Sequence, residues 1–186
     1  MRVYIVRHGE SETNRAGLWT GWLDAALTEG GEEDARRAGR WLSGVSFDAV
    51  YASDLSRAKR TAELALPHFP YTETPALREI NVGSLAGKPL TFLTDEEKKN
   101  AAGGYERFGG ESREAFCQRI DGFRRGLEGL PYESIAVFSH AGVLRTLVDL
   151  TVGVTLSRAK VLCQNCAIAI LDFEKEWRLH SWINLS

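Results

Sequence analysis

Apolar positions along the chain fall into two patterns that alternate: short unbroken runs, and stretches that recur every three or four residues. Val3-Tyr4-Ile5-Val6 is a short apolar run cut off by Arg7-His8-Gly9, which predicts a buried central strand followed by a loop. Thr28, followed by Glu29, Glu32 and Glu33, opens a helix whose Ala35, Ala38 and Leu42 share one face and which stops at Gly44. Residues 47–52 form a second strand candidate. Asp54 then caps a helix in which Leu55, Ala58, Ala62, Ala65 and Leu66 repeat at helical spacing as far as Pro67. Ser112 opens the clearest helix of the chain, with Phe116, Ile120, Phe123 and Leu127 on one face and Gly129 and Pro131 as its stop. Residues 135–138 read as another buried strand, followed by Ser139-His140-Ala141-Gly142 and a helix through Leu150.

Between these lie weaker signals. Residues 71–74 suggest a short strand, residues 77–89 are irregular, and residues 91–102 carry a faint helical pattern. Gly103-Gly104 and Gly109-Gly110 bracket four residues, so 88–110 reads as a helical or loop insertion. Residues 165–173 and 177–185 predict two final strands around Glu174-Lys175-Glu176. Strands alternating with helices imply an α/β fold: a mostly parallel central sheet, helices on both faces and one antiparallel edge strand. Residues 1–186 are expected to form a single domain.

Composition narrows the class. The 23 basic and 25 acidic side chains give a formal charge of −2, which excludes a nucleic acid or other polyanion as the obvious partner. No apolar run approaches the ~20 residues that a membrane helix requires. The 3 cysteines are too few for a disulfide scaffold, and the opening apolar run is too short for a secretory signal, so a cytoplasmic location is expected.

In open α/β sheets, ligands bind beyond the carboxyl ends of the strands. Arg7-His8-Gly9-Glu10 follows the first strand, Ser53-Asp54 and Arg57 the second, and Ser139-His140 the strand at 135–138. Any one of these residues has an ordinary explanation, a surface histidine or a locally paired arginine; their appearance after three separate strands points to one shared site. Two guanidiniums, with Asn14 nearby, suit the oxygens of a phosphate. Binding an anion does not need histidine, so His8 and His140 suggest chemistry on the bound phosphate, where neutral imidazole is a competent nucleophile. Arg7, Arg57, Asn14 and a protonated His140 would stabilise the charge of a phosphoryl group in flight. Glu10, Glu79 and Glu111 are candidates for the proton donor, and spacing does not choose among them.

These segments resemble the histidine phosphatase superfamily, the phosphoglycerate mutase-like clan. Residues 7–14, RHGESETN, resemble the signature loop, with Thr20-Gly21 at the expected later position. Ser53 to Ala58 with Thr61-Ala62 resembles the second-arginine segment, Leu77-Arg78-Glu79-Ile80 with Gly83 the catalytic-acid segment, and Gly109-Gly110-Glu111-Ser112 the start of the long helix. Ser139 to Val143 resembles the second-histidine segment and Asn165-Cys166 the start of a late strand, so the resemblance runs from residue 2 to about 170. It implies His8 as the phosphorylated nucleophile, with Arg7, Arg57 and His140 holding the phosphoryl group. It further implies Asn14, Thr20, Gly21 and Ala141 as phosphate or substrate contacts and Glu79 as the acid, then base. It implies no metal and no other cofactor. Ala86 stands where many relatives carry Glu.

Mutases of the clan carry a longer basic insertion, whereas here the region offers only Lys88, Lys98, Lys99 and Arg107. The expectation is therefore a phosphatase of the small broad-specificity or alpha-ribazole type, acting on a small phosphorylated metabolite, as a monomer or homodimer. Phosphoglycerate mutase activity, or a non-catalytic phospholigand-binding module, is the alternative. Trp19, Trp22, Phe92, Tyr105 and Phe108 are candidates for an apolar pocket wall or for ordinary core. Cys163 and Cys166 have the spacing of a redox motif or of half a zinc site, but no second Cys or His pair accompanies them and the surrounding residues read as a strand. A metal-dependent hydrolase is disfavoured because guanidiniums would oppose a bound cation.

Overall fold

A computed structural model describes residues 1–100, 103–154 and 161–185. The first strand, β1 (Arg2–Arg7), is followed by a short helix, α1 (Glu12–Arg15), and by α2 (Glu29–Leu42), β2 (Ala49–Ser53), α3 (Ser56–Ala65) and β3 (Thr72–Thr74). The middle of the chain contains a few 3-10 turns and α4 (Asp95–Asn100); Ala101 and Ala102 lie outside the described residues. Then come α5 (Arg113–Leu127), β4 (Ser134–Ser139), α6 (Ala141–Val152), β5 (Ile168–Phe173) and β6 (Trp177–Ile183).

The six strands form one sheet in the order β3-β2-β4-β1-β5-β6. β1, β2, β3 and β4 pair in parallel, while β5 runs antiparallel to both β1 and β6. The sheet is therefore mostly parallel, as its alternation with helices implies, and its antiparallel pairs lie at one edge. The reversed strand is β5, one place in from that edge; β6, the edge itself, again runs with β1. The tight Glu174-Lys175-Glu176 connection makes β5 and β6 antiparallel neighbours, because parallel ones would need a long crossover.

Two buried clusters lie on opposite faces of the sheet. One gathers Ile5, Phe116, Ile120, Ile135, Val137, Leu144 and Leu147, so α5 and α6 cover it. The other gathers Val6, Ala35, Ala38, Leu42, Ala62, Ala65 and Phe138 beneath α2 and α3. α2 starts as its sequence predicts, with Thr28 Oγ1 accepting the Gly31 N–H at 2.9 Å. α3 does not. Leu55 is its N-cap residue and makes no side-chain cap, and Asp24 accepts both the Ser56 N–H (2.9 Å) and its hydroxyl (2.7 Å). Asp54 is drawn away because its carboxylate takes a two-pronged pair of bonds from Arg78, at 2.8 and 2.6 Å.

The late strand also begins later than expected. Cys166 sits at φ 56°, outside β geometry, and regular pairing starts at Ile168. Among the described residues, no helix is long and apolar enough to cross a membrane.

Candidate active site

The carboxyl ends of β1, β2 and β4 lie side by side in the sheet and deliver Arg7, Ser53 and Ser139 to one rim. The loop after β1 is pressed onto the start of α2. A Cβ on Gly9 would collide with the Gly31 carbonyl, and one on Gly31 with the Glu10 carbonyl, so only two glycines allow this approach. The Gly9 N–H also donates to Thr61 Oγ1 at 3.0 Å, which ties the loop to α3.

His8 is almost fully buried, and its Nδ1–H donates to the Gly9 carbonyl at 2.7 Å. That bond fixes the tautomer and leaves the lone pair on Nε2. Burial, reinforced by the Arg57 and Arg7 guanidiniums, holds the His8 imidazole well below its ordinary value, so it is neutral near pH 7. His140 lies 5.2 Å away, ring centre to ring centre, with its Nε2 bonded to Ser53 Oγ at 2.9 Å. It too is depressed, by burial first and then by Arg57, His8 and Arg7. Without an anion beside it, burial among guanidiniums favours the neutral form of His140; the expected protonated form belongs to the site with a phosphoryl group bound.

Arg57 is 1% exposed, donating to the carbonyls of Leu23 (3.0 Å) and Gly21 (2.8 Å). Burial lowers it to about 10, against the opposing pull of Glu79 and Asp24, and it remains charged at neutral pH. Arg7 donates to the Cys163 carbonyl. Yet Arg7 Nε, Arg57 Nε and His140 Nδ1 are all buried without a partner. Leaving such groups unmet costs about 1–3 kcal/mol each, more for charged ones, a cost that an acceptor reaching them would relieve.

These residues border a cavity of about 320 Å³. Arg7, His8, Asn14, Thr20, Gly21, Arg57, Glu79 and Ala141 line it; His140 lies beneath, packed on His8. Asn14 Oδ1 accepts from the Ser11 N–H in a capping box and from Asn165 Nδ2, so its amide nitrogen is the group left to offer. Of the three carboxylates that spacing left open, only Glu79 borders the cavity. Glu10 accepts the Thr28 hydroxyl at 2.8 Å, and Glu111 is paired with Arg119 at 2.8 Å. Glu79 Oε2 accepts the Gly142 N–H at 3.0 Å, in the first turn of α6, and Oε1 accepts the Ile80 N–H at 2.9 Å.

Trp19 and Tyr105 border the cavity and meet edge to face at 5.8 Å. Trp22 instead donates to the Glu79 carbonyl with Arg78 stacked over its ring; Phe92 is exposed, and Phe108 packs against the core with Arg107 over it. Arg145 and Cys163 also line the cavity and were not anticipated. Arg145 had a readable signal, since it follows Ala141 by four residues and so shares its helix face. Cys163 had none: its place depends on the path of the chain before β5. Among the described residues, no group of three or more His, Cys, Asp or Glu could hold a metal ion.

The family model described as histidine phosphatase superfamily (branch 1) matches residues 3–185. The adenosylcobalamin/alpha-ribazole phosphatase of Escherichia coli is 35% identical over 162 residues, covering 82% of this chain and 80% of its own. Among solved structures, the alpha-ribazole phosphatase of Shigella flexneri superposes with a TM-score of 0.84 at 30% identity, over 98% of this chain and 96% of that one. A phosphoglycerate mutase of Thermus thermophilus superposes with a TM-score of 0.78 at 35% identity, over the full length of both.

Proposed function

The chain belongs to the histidine phosphatase superfamily, and from that premise we propose that it hydrolyses a small phosphomonoester through a phosphohistidine on His8. One observation carries the reading: a neutral imidazole, its Nδ1–H held by the Gly9 carbonyl, borders a cavity where buried donors of Arg7 and Arg57 have no partner. In the first step Nε2 attacks phosphorus, the ester P–O bond breaks, and Glu79 in its acid form gives its proton to the leaving oxygen. Arg7 and Arg57 offset charge on the phosphoryl oxygens, and His140 Nδ1 offers a further contact. In the second step the Glu79 carboxylate takes a proton from water, the new P–O bond forms as the P–N bond breaks, and His8 returns neutral.

A sugar phosphate, a nucleotide or alpha-ribazole phosphate suits the cavity, whose volume is at the small end of the ~300–1,000 Å³ usual for ligand pockets. Trp19 and Tyr105 offer an apolar wall to the leaving group. The mutase reading has one observation in its favour, Arg145, which could grip a second anionic group. Against it, Lys88 and Arg107 stand over Phe92 and Phe108, and Lys98 pairs with Asp95; none of the three lines the cavity. A module that merely binds phospholigands would not need His8, Glu79 and His140 together.

Rapid quench with labelled substrate is expected to trap an acid-labile, base-stable phosphoryl adduct in the wild type and none in His8→Ala. An adduct on any other residue refutes the mechanism.

A further inference from the structure

Arg119 of α5 does not border the cavity, yet three of its five guanidinium N–H groups donate to the segment that carries Glu79 and the other two to Glu111. Nε and one terminal nitrogen grip the two Glu111 oxygens, at 3.0 and 2.8 Å. The other terminal nitrogen donates to the carbonyls of Ala76 and Arg78, both at 2.9 Å, and the Glu79 carbonyl accepts a fifth bond at 3.4 Å. Glu111 extends the grip, its carboxylate accepting the Asn81 N–H at 3.3 Å and its own N–H donating to the Asn81 carbonyl at 2.9 Å. Both side chains are mostly buried, at 20% and 14% exposure.

Residues 78–82 lie in neither helix nor strand, so no ladder meets their backbone groups. Arg119 and Glu111, with Trp22 Nε1 donating to the Glu79 carbonyl at 2.7 Å, supply what a ladder would. The Glu79 carboxylate is held by the N–H groups of Ile80 and Gly142, and the first of these moves with the backbone that Arg119 grips. We propose that Arg119, oriented by Glu111, is a positioning residue for Glu79: by fixing the 76–81 backbone it holds the carboxyl where the leaving oxygen needs its proton. This rests on Glu79 being the acid of the proposed hydrolysis. A planar five-donor fork is required, because an ammonium cannot reach three carbonyls and two carboxylate oxygens from one point.

The experiment compares Arg119→Met in the wild-type and Glu79→Gln backgrounds, on an alkyl phosphate and on p-nitrophenyl phosphate, whose phenolate leaves unaided. A misplacement near 1 Å costs about 10²-fold in rate. Arg119→Met in the wild-type background should therefore lower kcat/KM on the alkyl phosphate by roughly 10–100-fold and on p-nitrophenyl phosphate by only about three-fold. In the Glu79→Gln background the same change should alter the alkyl phosphate rate by no more than about two-fold, since nothing remains to position. An equal loss on both substrates, or the same loss in both backgrounds, overturns the proposal. Phe116 and Ile120 anchor α5 in the core without Arg119. Should Arg119→Met nevertheless fail to fold, Arg119→Lys serves for the same comparison, with the same pattern expected. Glu79→Gln alone separates the two layers: if it shows no dependence on the leaving group, the acid assignment fails without reference to Arg119.

Discussion

At the scale of the residue, the site is governed by desolvation. Two imidazoles and the Arg57 guanidinium are almost fully buried, and the Arg57 and Arg7 charges disfavour a proton on the imidazoles. His8 and His140 are both held well below their ordinary value of 6.5, whereas in the unfolded chain they titrate near it. Between the lowered value and 6.5 the unfolded chain binds protons that the folded chain refuses, so stability falls as pH drops through that window. The slope is at most about 1.4 kcal/mol per pH unit for each histidine. Asp48, Asp54 and Asp172, whose carboxyls are lowered by hydrogen bonds, act in the same direction but only below about pH 4. Urea midpoints measured from pH 7 to pH 5 should fall steadily in the wild type and less steeply in His140→Gln. A flat wild-type profile over that range would contradict the buried, neutral pair.

At the scale of the element, α6 and the Glu79 segment complete each other. His140 occupies the N-cap of α6 and makes no side-chain cap, so the Gly142 N–H would go unmet without the Glu79 carboxylate. Gly142 is the residue that makes room: a Cβ there would collide with Glu79 Oε1. Gly142→Ala should therefore displace the carboxyl while leaving a folded protein, because alanine favours the helix itself. The expected outcome is a loss on the order of 10²-fold in kcat/KM on an alkyl phosphate, a much smaller one on p-nitrophenyl phosphate, and an unchanged circular dichroism spectrum. Full activity on the alkyl phosphate would show that this contact does not matter to the reaction. Asp54 carries the complementary lesson for elements. Its position before α3 reads as a cap, but its partner, Arg78, is 24 residues away, and a local pattern cannot register that competition.

At the scale of the whole molecule, the sheet order puts the ends of β2, β4 and β1 together, and the middle segment contributes Leu90 and Tyr105 to the cavity. None of Lys88, Lys98 and Arg107 in that segment borders it, so those three offer no charge to hold a released phosphoryl acceptor for a second transfer. If 3-phosphoglycerate is turned over, phosphate release should outpace formation of 2-phosphoglycerate, with or without a bisphosphate primer. Activity should persist in excess chelator, because the arginines already supply the charge a metal would bring. Isomerisation faster than phosphate release would reverse the assignment. Hydrophobic periodicity is local, so spacing alone specified α2, α3, α5, α6 and the buried strands β1, β2 and β4, with the loops that follow those strands, whereas the short α1 left no such pattern. Tertiary structure alone decided that β5, one place in from the edge, is the reversed strand, that Glu79 and not Glu10 or Glu111 borders the cavity, that Arg145 and Cys163 join it, and that burial holds His140 below its ordinary value. Each of these depends on which distant residues meet and how much water they exclude, and neither distance nor desolvation is written in the spacing of a chain.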